Sequence, residues 1–179
     1  MALVTLWVML LFGPTAQANN PSLADTLVWM HDFVAANGRS DSRQDADTNQ
    51  VCTTGEHCEV RIDKFHFESK GCSATITHDL TIAKVLESKE THTFNLKDLD
   101  PNTIFVEDDK TFQGVWATTF NDKDLIKYTD RGVLNGERVS SNLDAHTVYV
   151  GFRDAQAAQR FAKAWKHAIT LCGGKPSVF

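Results

Sequence analysis

The chain has 179 residues, 42% of them hydrophobic and 23% charged, an ordinary composition with enough length for one core. Its formal net charge is -5, with acids and bases interspersed. That balance excludes the basic footprint by which proteins hold nucleic acid or an anionic membrane surface.

Residues 1–18, "MALVTLWVMLLFGPTAQA", contain an apolar run of about a dozen residues, then Gly13-Pro14 and the small-x-small triplet Ala16-Gln17-Ala18. This is an export-signal pattern, although no Lys or Arg precedes the apolar run. The run is shorter than the roughly 20 residues that cross a bilayer. No second apolar stretch follows, so residues 19–179 are expected to be a single domain, periplasmic or secreted, without a membrane span. The four cysteines are Cys52, Cys58, Cys72 and Cys172. An even number in an exported chain reads as two disulfides, with three possible connectivities.

In "PSLADTLVWMHDFVAANG", Leu23, Leu27, Met30 and Val34 recur at helical spacing, Ser22 and Asp25 make a capping box, and Gly38 stands at the stop. A helix over 22–37 is predicted. Trp29 and Phe33 widen its apolar face, so it should dock on the domain. Residues 38–56 are polar and without periodicity, and predict a long loop. Within it Asp45, Asp47, Asn49 and Glu56 fall at positions 1, 3, 5 and 12 of a calcium loop. Gln50 stands where that loop needs glycine and a strand follows where a helix should, which favours a plain surface loop. Cys52 and Cys58 bracket five residues, a spacing suited to a small disulfide ring.

The period then changes to two. "EVRIDKFHF" alternates with a slip at Asp63-Lys64, which predicts a bulge, and Ser69-Lys70-Gly71 predicts a hairpin turn. "CSATITHDLTI" places Cys72, Ala74, Ile76, His78, Leu80 and Ile82 on one face. Six further short strands follow: "THTFNL", "TIFVED", "VWATTF", "LIKYTD", "ERVSS" and "HTVYVGF", with a hairpin signal at Asn135-Gly136. In "DAQAAQRFAKAWKHAITLCGG", Asp154 is an N-cap and Ala155, Ala158, Phe161, Ala162, Trp165, Ala168, Ile169 and Cys172 form one apolar stripe. Arg160, Lys163, Lys166 and His167 make a basic face that reads as solvated. Gly173 sits where a left-handed cap belongs, with Pro176 beyond it. Because Gly-Gly-Lys follows the helix, it presents no free helix N-terminal amides to a phosphate. Cys72 and Cys172 both lie on apolar faces and, given the even number of cysteines in an exported chain, are expected to pair across the domain, with two buried thiols as the alternative.

An N-terminal helix, an antiparallel curved sheet or partly open barrel of about seven strands, and a closing amphipathic helix make an α+β fold of pleckstrin-homology-like type, with a helix-grip fold as the alternative. The "GCSATIT" strand and the tail "FRDAQAAQRFAKAWKHAITLCGGKPSVF" resemble a group of small exported bacterial proteins with a barrel of this kind. The resemblance implies fold and compartment, and brings no catalytic residues.

Seven histidines are scattered without the spacing of a zinc hydrolase, and no nucleophile motif is present. Lys64 and Lys70 alone do not make a lipid-phosphate site on the first hairpin. The expectation is a non-catalytic binding or interaction module with a protein or small-molecule partner, and no metal or other cofactor. The alternative is a small-ligand-binding protein or enzyme with a pocket between the curved sheet and the C-terminal helix. His66, His78 and Asp79 would be its polar groups.

Overall fold

Ser22, itself in an extended conformation, caps the first helix. Its hydroxyl accepts from the Asp25 amide at 3.2 Å while the Asp25 carboxylate accepts from the Ser22 amide at 3.3 Å. Two orphan donors are thereby satisfied, and helix α1 runs over Leu23–Asn37. A computed structural model describes residues 20–45, 58–82, 86–108, 113–134 and 136–176. After α1 come β1 (Arg39–Asp45), β2 (Cys58–Lys70), β3 (Ser73–Ile82), β4 (Leu86–Asn95), β5 (Phe105–Asp108), β6 (Gln113–Thr118), β7 (Ile126–Leu134), β8 (Glu137–Ala145), β9 (Thr147–Phe152) and α2 (Ala155–Leu171). The fold is α+β. Its strands form a 6-stranded antiparallel sheet, ordered β1-β2-β3-β4-β7-β8, and a 3-stranded one, ordered β5-β6-β9, which do not close into a barrel.

Two local expectations are corrected. Residues 39–45, expected as part of the polar loop 38–56, form β1 and pair with β2 from Arg39↔Lys64 to Asp45↔Cys58. Pairing uses backbone groups, so an edge strand rich in charge can form without any apolar alternation. The expected bulge at Asp63-Lys64 does not exist: β2 and β3 pair without a break from Arg61↔Ile82 to Lys70↔Ser73. Asp63, Phe65 and Phe67 are all buried on the inner face, so the apparent phase slip is an acid standing in an inward position.

The core lies where α2 meets both sheets. Phe161 reaches Phe67 and Trp165 reaches Phe94, each pair with ring centroids 6.4 Å apart. Val115, Ala117, Val148 and Val150 of the small sheet belong to the same buried cluster. Trp165 is fully buried, and truncating such a residue to alanine costs about 3–5 kcal/mol. Asp154 caps α2 by accepting from the Ala157 amide at 2.7 Å. At the other end Gly173 takes φ 82 and donates to the Thr170 carbonyl, and Gly174 donates to that of Ile169. This paired capping is the Schellman arrangement. A Cys72–Cys172 disulfide, with Cα atoms 5.7 Å apart, ties the β2–β3 turn to this helix end. Among the described residues no helix is long and apolar enough to cross a membrane.

Candidate functional site

The two-residue period of β2, β3 and β4 sends Asp63, His78, Glu90 and His92 to one inner face. The register sets His78 beside Phe65 on one side and Glu90 on the other. His78 Nε2 lies 2.7 Å from Asp63 Oδ1, and Nδ1 lies 3.2 Å from Glu90 Oε2 and 2.9 Å from the Tyr149 hydroxyl. Tyr149, from the other sheet, donates to Glu90 Oε2 at 3.2 Å. Arg61 donates from Nε to Asp63 Oδ2 at 3.0 Å. The Phe65 ring stacks on the imidazole, centroids 4.4 Å apart and planes 3° from parallel. His78 and Asp63 are 1% and 3% exposed, so these bonds form away from water.

Burial works to lower the His78 pKa, but the hydrogen bonds and charges of Asp63 and Glu90 outweigh it and hold the group above its ordinary 6.5. Burial likewise works to raise Asp63 and Glu90. For Asp63 the His78 and Arg61 hydrogen bonds and charges outweigh it; for Glu90 the His78 hydrogen bond and the nearness of the His78 and His92 rings do, and both carboxyls are lowered. Burial and the Glu90 charge push the Tyr149 hydroxyl up, so it stays a donor. With His78 protonated, the charges of Arg61, Asp63, His78 and Glu90 sum to zero. Both imidazole N–H groups then have acceptors inside the protein. His92 is different: neither of its buried ring nitrogens has a hydrogen-bond partner, and Nε2 stands 4.0 Å from Glu90.

The three polar groups expected to share a pocket do not converge. His78 faces inward. His66 and Asp79 alternate to the opposite face of the sheet, where Nε2 and Oδ2 meet at 3.4 Å with both side chains largely solvated. The space between the large sheet and α2 is occupied by the rings of Phe67, Phe94, Phe161 and Trp165. The calcium positions Asp47, Asn49 and Glu56, the Asp45 side chain, Cys52 and the Cys58 side chain lie outside the described residues. Among the described residues no group of three or more His, Cys, Asp or Glu side chains could hold a metal ion. The sequence reading missed Arg61, Asp63, Glu90 and Tyr149. Asp63 had a signal, since unbroken alternation through β2 points it inward; Tyr149 had none, because it arrives from a different sheet.

A second feature lies between the helices. Arg160, Lys163, Ala164 and His167 share one face of α2 by their i, i+3, i+4, i+7 spacing. With Trp29 of α1 they line a cleft of about 590 Å³ that is mainly apolar inside. Trp29 stacks on Phe33 at 4.4 Å. The Arg160 guanidinium lies 5.0 Å from the Phe33 ring centroid and 5.9 Å from that of Trp29. A cation held over aromatic faces in this way is stabilised by the ring quadrupoles while its edge stays available to an anion. His167 Nε2 donates to the Pro21 carbonyl at 3.0 Å, and both residues line the cleft. Asp25, the acid on the lining, has its carboxylate engaged by Ser22.

In comparisons with protein-family models, curated proteins and solved structures, none matches this chain.

Proposed function

We propose that this protein is an exported, non-catalytic binding module whose ligand occupies the cleft between α1 and α2. The ligand class is an amphipathic anion: an apolar body of fatty-acid or aryl size carrying one carboxylate. The observation that carries this reading is an apolar cleft floored by Trp29 and rimmed by Arg160, Lys163 and His167. Burying the apolar body supplies most of the affinity, at roughly 25 cal/mol per Å². The guanidinium fork fixes the orientation of the carboxylate. The Cys72–Cys172 disulfide supports an oxidising compartment, and with the N-terminal apolar run it supports export. The use of both His78 nitrogens inside the protein supports a structural role for that network over acid–base catalysis. The antiparallel sheet gripped by α2 supports kinship with pleckstrin-homology-like or helix-grip layouts.

Calorimetric titration of residues 19–179 with straight-chain carboxylates and the matching alcohols tests the reading. Saturable binding is expected for the acids, at least tenfold weaker for the alcohols, and lost in Trp29→Ala and Arg160→Glu. Absence of saturation with every carboxylate up to millimolar concentration would overturn it.

A further inference from the structure

We infer that β8 pairs antiparallel with β8 of a second copy of this chain, about a two-fold axis through Ser141, so that the six-stranded sheet runs on across a dimer. β8 is one edge of that sheet, and every residue from Glu137 to Asp144 is exposed. It pairs with β7 without a bulge over its whole length, from Leu134↔Glu137 to Ile126↔Ala145. The edge has no proline and no bulge, and its charges, Glu137, Arg138 and Asp144, stand near its two ends, which leaves the central residues 139–143 without the usual guards against strand addition. It also carries exposed apolar side chains, Val139 at 38% and Leu143 at 49%, beside Leu134 at 42% on β7. The opposite edge, β1, reads RSDSRQD and has a charge at every second position and no apolar residue.

The sequence of β8 chooses the partner and the register. A two-fold axis perpendicular to the sheet keeps each face continuous, so only registers that oppose residues on the same face are allowed. With the axis at Ser141, Val139 faces the partner's Leu143, Arg138 faces the partner's Asp144, Ser140 faces the partner's Asn142, and Ser141 faces its twin. Each of the first three pairs occurs twice, and the Ser141 pair once. Apolar and opposite-charge pairs directly across are the stabilising ones in antiparallel sheets. Moving the axis to Ser140 sets Glu137 against Leu143, and moving it to Asn142 sets Ser140 against Asp144, so both neighbouring registers lose the match. Asp144 already accepts from Lys127 Nζ at 2.7 and 2.9 Å. A carboxylate has about four acceptor positions, which leaves room for the partner's Arg138.

Sedimentation velocity on oxidised residues 19–179 tests this, with a monomer–dimer equilibrium expected in the micromolar range. Leu143→Lys sets an ammonium against the partner's Val139 and should raise the midpoint concentration at least tenfold with unchanged circular dichroism. Under mild oxidation Ser141→Cys should give a covalent dimer. Ser140→Cys should not, because its twin stands two positions along the strand. A monomer throughout the range, a midpoint unmoved by Leu143→Lys, or cross-linking of Ser141→Cys no faster than of Ser140→Cys would each overturn the proposal.

Discussion

His78 Nε2 meets Asp63 Oδ1 at 2.7 Å with both side chains buried, so an imidazolium and a carboxylate share the inner face of β2 and β3 away from solvent. Glu90 on the other side of the ring and Arg61 behind Asp63 complete a neutral set. Such a set holds the strands to one register, because a slip of one residue would turn its members to the outer face.

The network makes stability depend on pH from both sides. His78 is raised above 6.5, so its contribution is fully present below that value and is lost as pH rises through the folded-state pKa. Asp63 and Glu90 are lowered from 3.8 and 4.5, so their contributions are present above those values and lost as pH falls through the folded-state pKa values. The urea midpoint should therefore be highest between about pH 4.5 and 6.5. His78→Gln should flatten the alkaline limb, and parallel profiles for the two proteins above about pH 6.5 would contradict this account.

Asp63→Ala removes the buried carboxylate that His78 Nε2 and Arg61 both meet, leaving His78 with Glu90 alone, and should cost about 3–5 kcal/mol in chemical denaturation. Replacing both partners with apolar residues, as in Asp63→Leu with His78→Phe, should cost less than the single change, since the two most deeply buried charges go together and the charges that remain, Arg61 and Glu90, keep some access to solvent. If the double variant is the less stable one, the pair contributes more than its own desolvation.

The Cys72–Cys172 bond spans 100 residues of sequence. Closing a loop of that length in the unfolded chain is worth about 4–5 kcal/mol on the entropy model. Reduction, or Cys72→Ser, should lower the unfolding free energy by that order; a change below about 1 kcal/mol would mean that the reduced unfolded chain keeps this loop closed by other contacts.

Gly173 and Gly174 are adjacent but constrained differently. A Cβ on Gly173 would meet open space, at a φ of 82 that favours glycine, and Gly173→Ala should cost about 1 kcal/mol. A Cβ on Gly174 would stand 2.4 Å from Ile169 Cγ2 and 2.9 Å from the Leu99 carbonyl oxygen. Gly174→Ala should therefore cost more, about 1–3 kcal/mol, with the order of the two thermal midpoints as the readout.

Local chemistry is what the sequence by itself determined. The capping box Ser22–Asp25, the Asp154 cap and the left-handed Gly173 each act within a few residues, and both helices end within a residue of their expected positions, whereas β4 begins five residues earlier and β8 ends four residues later than expected. The inward face of β3 was legible for the same reason, since alternation alone buries Ala74, Ile76, His78 and Leu80. The Cys72–Cys172 disulfide was legible from the even number of cysteines in an exported chain and from the two apolar faces that carry them, with a pair of buried thiols as the alternative. Tertiary structure decided the rest. β1 forms because β2 offers it a backbone edge, and His78 meets Tyr149 only because the small sheet packs its β9 over the large one. Trp29 and Arg160, 131 positions apart, share a cleft because α1 and α2 dock on one core. Caps and periods are local interactions, each formed between residues a few positions apart. Register and packing are decided by contacts between distant segments, and no single segment carries the information for them.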